Sequence, residues 1–231
     1  MNVFDCCENN NVKGLQTIIG SDGNNEIVHI RNKYEDTPLH FSARYKSKEC
    51  LEILITHGGD VNNRNKYGYT PLHISAIHNY KECLELLIRS GGNVTIRDNN
   101  GDTPVSLIRN SKECLEILIT HGGDVNTRNK YKYTPLHYSV MGKSKECSEI
   151  LIRSGGNVNA KNNYGDTPLH FAARCNFKEC LEILVMHGGD VTAKNRSGKT
   201  SLDYLEDENY KNYIMKLAGE VSMLDCKDPG F

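Results

Sequence analysis

Nine cysteines and nine histidines are the residues of this 231-residue chain that could serve as nucleophiles, general bases or metal ligands. Five of the cysteines (Cys50, Cys83, Cys114, Cys147 and Cys180) recur inside a Lys-Glu-Cys block, and three are followed seven residues on by His57, His121 and His187. A cysteine beside an imidazole could form an activated thiolate. The spacing opposes that reading, because seven residues of helix span about 10 Å, too far for direct proton transfer. In the alternate copies Ser90 and Ser154 replace the histidine, so no fixed pair exists. One cysteine per helix, on helices about 8–10 Å apart, also sits outside the roughly 7 Å that a disulfide requires. Four such thiols cannot converge on a zinc ion. They read as small buried apolar residues in a reducing compartment. Cys175, in a turn, and Cys226, near the end, are the most reactive thiols expected. The chain has no phosphate loop, HExxH, GxSxG or CxxC pair, so the reading is non-catalytic, with no metal and no cofactor.

The elements that carry these residues are periodic. Thr-Pro-Leu-His begins at Thr37, Thr70, Thr134 and Thr167, with degenerate copies at Thr103 and Thr200, and the six threonines are spaced 33, 33, 31, 33 and 33. Residues 47–62 and 111–126 are identical, which points to duplication of a two-repeat unit. Thr-Pro predicts a helix start, the hydroxyl capping a free N–H and proline fitting the first turn. A helix over 37–45, a polar turn and a second helix over 48–57 follow, the second apolar at Leu51, Leu54 and Ile55. Gly58 and Gly59 end it, and residues 60–69, rich in turn formers, predict a hairpin. Neither helix can bury its apolar face alone, whereas stacked neighbours can.

This pattern resembles the ankyrin repeat, and the resemblance spans nearly the whole chain. It implies an all-α repeat solenoid with β-hairpin fingers, built from five full repeats at 32–64, 65–97, 98–128, 129–161 and 162–194. Residues 1–31 would form an N-terminal capping repeat, with Cys6 and Cys7 where such helices carry small residues. Residues 195–218 would form a C-terminal cap, closed by Tyr204, Leu205, Tyr210, Tyr213, Ile214 and Leu217, and 219–231 a frayed tail. The resemblance gives His40, His73, His137 and His170 a structural role in hydrogen bonding within and between repeats. Unit 98–128 departs from the pattern: it is two residues short and places Ile108 and Arg109 where other copies have small residues. It reads either as a tolerated drifted repeat or as a bend or weak joint, with the larger residues pushing helices apart or turning outward. Glu35 and Lys132 replace the fingertip glycine of Gly68, Gly101, Gly165 and Gly198.

By the same resemblance, the residue after each Thr-Pro-Leu-His faces a concave groove. That column reads Phe41, Ile74, Leu107, Tyr138 and Phe171, flanked by Arg44, Tyr45, Ile77, His78, Met141 and Arg174. Such residue types suit an interface. Tyr34, Tyr67, Tyr69, Tyr131, Tyr133 and Tyr164 fall on the fingers, together with twelve basic residues against five acidic ones. The net charge of −1 therefore hides a basic ridge opposed by glutamate-rich second helices. A ridge of this kind would steer an acidic partner. The expected function is protein–protein interaction by a monomeric adaptor, its partner bearing an acidic surface. Two alternatives stand beside it. One is a nucleic-acid-associated scaffold, weakened by the interleaved acids. The other is a substrate of an asparaginyl hydroxylase, at Asn62, Asn126 and Asn159. A hydrophobic content of 38% with no apolar run near 18 residues, and an N-terminus unlike a signal peptide, predict a cytoplasmic or nuclear protein without membrane spans.

Overall fold

Helix formation begins at the threonines. In the computed structural model, which describes residues 2–23 and 26–225, Thr37 N–H donates to His40 Nδ1 at 3.1 Å, with Thr37 Oγ1 2.8 Å from the same nitrogen. The same closure recurs at Thr70/His73, Thr134/His137 and Thr167/His170. It is a capping box in which histidine takes the place of the usual glutamate.

The chain divides into two compact units, residues 1–124 and 125–231. The first contains α1 (Val3–Glu8), α2 (Val12–Ser21), α3 (Pro38–Arg44), α4 (Lys48–Thr56), α5 (Pro71–Ile77), α6 (Lys81–Arg89), α7 (Pro104–Leu107) and α8 (Lys112–Thr120). Helices α1, α3, α5 and α7 stack in succession as an inner row, and α2, α4, α6 and α8 pack behind them. The second unit contains α9 (Pro135–Met141), α10 (Lys145–Arg153), α11 (Pro168–Arg174), α12 (Lys178–Met186), a 3₁₀ turn at Ser201–Tyr204, and α13 (Glu208–Asp225). There α11 packs between α9 and the 3₁₀ turn, and α12 between α10 and α13. The repeated leucines (Leu39, Leu54, Leu72, Leu87, Leu136 and Leu151 among them) are fully buried. Each contributes about 1.5–3 kcal/mol by leaving water. The five cysteines of the Lys-Glu-Cys blocks are equally buried.

The fingers correct one expectation: no strand forms among the described residues. In the finger of residues 62–69, Asn65 N–H donates to Tyr69 O and Gly68 N–H to Asn65 O, which makes a turn and no ladder. The asparagine side chain does the remaining work, its Oδ1 accepting from the N–H groups of Tyr67 and Tyr69, both at 3.0 Å. Asn32, Asn129, Asn162 and Asn195 do the same, and Asp98 substitutes in one finger. Adjacent tips are joined by single backbone bonds, Lys66 N–H to Tyr34 O and Asn99 N–H to Tyr67 O in the first unit. Asn163 N–H to Tyr131 O and Arg196 N–H to Tyr164 O are their equivalents in the second. Glu35 and Lys132 hold the same left-handed backbone as the glycines, with φ of 61° and 63° against 79° at Gly68. For Gly68 the requirement is also steric: a Cβ there would lie 2.7 Å from the backbone nitrogen of Asn99.

Two further expectations change. In the irregular repeat α7 stops after one turn, and Ile108 takes extended backbone (φ −73°, ψ 120°) that carries its side chain fully into the core while Arg109 stays outside. The shortened connection ends the helix before Ile108, so this residue turns inward instead of outward. At the other end α13 continues through residues 219–225, and the expected frayed tail is helical there; residues 226–231, Cys226 included, lie outside the described residues. On α13 Ile214 is buried, whereas Tyr213 is about half exposed and does not close the stack.

Candidate interaction surface

The four capping histidines tie each inner helix to the following finger. Because Nδ1 accepts from the threonine N–H, Nε2 carries the proton and donates to a carbonyl 29 residues later. The acceptors are Tyr69 O at 3.0 Å from His40, Asp102 O at 3.4 Å from His73, Asp166 O at 3.2 Å from His137 and Lys199 O at 3.1 Å from His170. Burial pushes His73 and His137 down to about 4 and also lowers His40 and His170, so the rings are neutral at pH 7. These histidines are part of the framework. The thiols are equally inert: burial pushes Cys7 up to about 12 and Cys50, Cys83 and Cys180 up to about 11. Cys175 is half-buried.

Each unit offers its own exposed face. In the first, Phe41 is half-buried between Phe4 (4.8 Å between ring centroids) and Tyr45 (5.8 Å), while Tyr45 and Ile77 are 42% and 39% exposed. Leu107 is half-buried, and His78 is exposed and stacks on Tyr80 at 5.4 Å. In the second unit Met141 is 40% exposed, and Tyr138 is half-buried, its hydroxyl accepting from Asn129 Nδ2 at 2.8 Å. Ile74 and Phe171, expected on the surface, are core residues at 2% and 7% exposure. Phe171 is walled in by Tyr133 and His137, each with its ring centroid 5.7 Å away. Of the finger tyrosines, Tyr34, Tyr67, Tyr131 and Tyr164 are exposed, whereas Tyr69 and Tyr133 fold back toward the helices.

The three asparagines singled out as modification sites bridge neighbouring repeats with both ends of the amide. Asn62 donates to Gly91 O and accepts from Asn93 N–H; Asn126 does so with Gly155 and Asn157, and Asn159 with Gly188 and Asp190.

The sequence profile described as ankyrin repeats (3 copies) matches residues 3–98 and 103–195, most of the chain. The chain is an ankyrin-repeat protein. No curated protein matches it in sequence. Among solved structures, the human ASB11 ankyrin repeat domain superposes with a TM-score of 0.84 at 22% identity, covering 94% of this chain and 97% of that one. The ankyrin repeat domain of Bcl-3, a member of the IkappaB family, gives 0.78 at 24%, covering 94% and 98%. At these identities the likeness speaks for the fold.

In this ankyrin-repeat protein the residues that sequence reasoning overlooked are the partners of Arg44 and Arg174. Arg44 pairs with Asp36 at 3.3 Å and Arg174 with Asp166 at 2.8 Å, the carboxylates being almost fully buried. Arg174 also lies over the rings of Phe171 (5.1 Å) and Tyr204 (4.8 Å). In the second and fourth repeats Tyr69 and Tyr133 stand where the aspartate would be, and Ile77 and Met141 where the arginine would be; the short third repeat keeps Asp102 but has Asn110 eight residues on. The signal was available in the sequence as an aspartate eight residues before an arginine in the first and fifth copies. Each unit's inner-helix face thus sets one pinned cation beside an apolar side chain, Arg44 with Ile77 in the first and Arg174 with Met141 in the second.

Proposed function

We propose that this ankyrin-repeat protein is a non-catalytic adaptor that binds another protein through its inner-helix faces and fingertips. Ankyrin-repeat domains are generally protein-interaction modules, which supports the class. The observation that carries the reading is the exposure of Tyr45, Ile77 and Met141 on inner-helix positions, beside the arginines anchored by Asp36 and Asp166. Large apolar side chains held at the surface next to fixed cations are interface chemistry. A preformed face also loses little conformational entropy on docking. The partner proposed is a protein with an acidic surface, met by a monomer in the cytoplasm or nucleus. Eight free cysteines among the described residues favour such a reducing compartment. No described helix is long and apolar enough to cross a membrane.

The test is affinity capture from a cell lysate with quantified retention, comparing the native chain with Tyr45→Ala/Ile77→Ala/Met141→Ala. A specific set of retained proteins should be lost from the variant while its melting transition is unchanged. Retention of the same set by the variant would remove these residues from the interface.

A further inference from the structure

The fingertips follow a pattern of their own. Successive tips carry Tyr34, Tyr67 and Asn100 in the first unit, and Tyr131, Tyr164 and Ser197 in the second. Each unit thus sets two adjacent tyrosines before a small polar residue. The four rings are exposed, from 43% at Tyr34 to 61% at Tyr164. Among the described residues no hydrogen bond engages their hydroxyl groups. Their backbone, by contrast, is held firmly. Asn32, Asn65, Asn129 and Asn162 each accept from the tyrosine N–H two residues on. Lys66 N–H to Tyr34 O (3.0 Å) and Asn163 N–H to Tyr131 O (2.9 Å) join the tips pairwise. With ordinary bond lengths, one such bond keeps the two tyrosine Cα atoms of a pair within about 10 Å. Lys33 Nζ lies 5.0 Å from the centre of the Tyr34 ring and steadies it. The charge of the fingers is not duplicated in the same way. Fingers 29–36, 62–69 and 95–102 carry five basic residues against four acidic ones, and fingers 126–133, 159–166 and 192–199 seven against one. The tyrosine pair is what the two units share.

We infer that each tyrosine pair is a docking platform for a proline-rich segment of a protein partner in the polyproline II conformation, one segment per unit. A polyproline II helix turns every three residues and rises about 9 Å per turn, which matches the spacing of two tips. The first and fourth residues of a Pro-x-x-Pro stretch then each meet one ring. The carbonyls of such a helix have no internal partners, and the tyrosine hydroxyls are placed to donate to them. Surface aromatic side chains are the usual readers of this conformation. Other conformations fit less well. An α-helix consumes its own carbonyls, so the hydroxyls find no acceptor on its backbone. Strand addition needs an open edge, and the N–H groups of Lys66, Asn99, Asn163 and Arg196 are already bonded to the neighbouring finger. A nucleic-acid strand follows cations, which only the second unit concentrates on its fingers. The inference deepens the adaptor reading and rests on it.

The experiment uses the full chain and isothermal titration calorimetry. The probes are a peptide of repeated Pro-Pro-Leu units, the same peptide with alanine at every proline, and a single-stranded RNA oligonucleotide. The variants are Tyr34→Ser/Tyr67→Ser, Tyr131→Ser/Tyr164→Ser, the two combined, and phenylalanine at all four positions. Serine suits these tips, because Ser197 holds the same turn with its N–H donating to Asn195. The proline peptide should bind at two sites per chain, about tenfold or more tighter than its alanine twin, with little dependence on salt. Each double variant should keep one site, and the combined variant should weaken binding about tenfold or more with an unchanged melting transition. The phenylalanine variant, with rings but no hydroxyls, should bind between the native chain and the combined variant. Equal binding of the two peptides, a single site in the native chain, a combined variant that binds as the native chain does, or RNA binding tighter than the proline peptide would each overturn the inference. Tyr45→Ala/Ile77→Ala/Met141→Ala should leave peptide binding unchanged. If that triple variant abolishes lysate capture while the proline peptide fails to bind, only the fingertip assignment falls. If the peptide binds and lysate capture ignores the triple variant, only the inner-face assignment falls.

Discussion

Acidification from pH 7 to pH 5 should weaken the fold through its capping histidines, by an amount that the structure bounds. His73 and His137 are held at about 4 by burial, against an ordinary 6.5. The unfolded chain therefore takes up protons first. The stability contributed by keeping these rings neutral is complete above pH 6.5 and drains away as pH falls toward about 4. At pH 5 each ring should have lost about 2 kcal/mol, His73 from the first unit and His137 from the second. His40, His78 and His170 act in the same direction, since burial lowers all three. Ordinary carboxylates titrate mostly below this window. The assay is urea unfolding followed by far-ultraviolet circular dichroism at the two pH values. His73→Gln/His137→Gln is the control, because glutamine suits the capping position and does not titrate. The native chain should lose markedly more stability between pH 7 and pH 5 than the variant does. Equal losses in the two proteins would refute the assignment of neutral, buried, proton-refusing rings.

Three other outcomes follow from the geometry. Arg174→Ala should cost about 1–2 kcal/mol in urea unfolding, because Asp166 stays buried while the half-exposed arginine that neutralises it is gone; a neutral result would show that Asn195 alone satisfies the carboxylate. Lys132→Gly should stabilise by about 0.5–1 kcal/mol, removing a left-handed side-chain residue from a fingertip, and an unchanged denaturation midpoint would mean that no strain resides there. Amide exchange should find α7, one turn long, less protected than α5; equal protection would leave the short repeat as sequence drift without mechanical consequence.

Much of this architecture was legible because it repeats. The Thr-Pro starts, the double-glycine ends and the spacing of Leu51 and Leu54 each encode a local event, and the structure places helices accordingly. What was not legible depended on which of two geometries a side chain would choose. Ile74 and Phe171 occupy the same repeat position as Phe41 and Tyr138, yet the first pair is core and the second half-exposed. Packing by the neighbouring repeats decides this, and a column of large apolar letters does not reveal it. The fingers were misread as hairpins for a related reason. Their asparagines resemble ordinary turn formers, and nothing local announces that one side-chain oxygen will replace a strand ladder. The Asp-to-Arg spacing was visible, but its meaning needed the burial of the carboxylate.

The histidine-to-finger bonds give assembly a direction. Each donor belongs to one repeat and each acceptor to the next one along the chain, as from His40 to Tyr69 and from His170 to Lys199. During synthesis, the ring of a repeat that has just left the ribosome has no carbonyl to meet until the succeeding finger emerges. Completion of each histidine-bearing module therefore lags one module behind elongation. A chain shortened from its C-terminus strands a buried imidazole N–H, whereas one shortened from its N-terminus leaves only a carbonyl facing water.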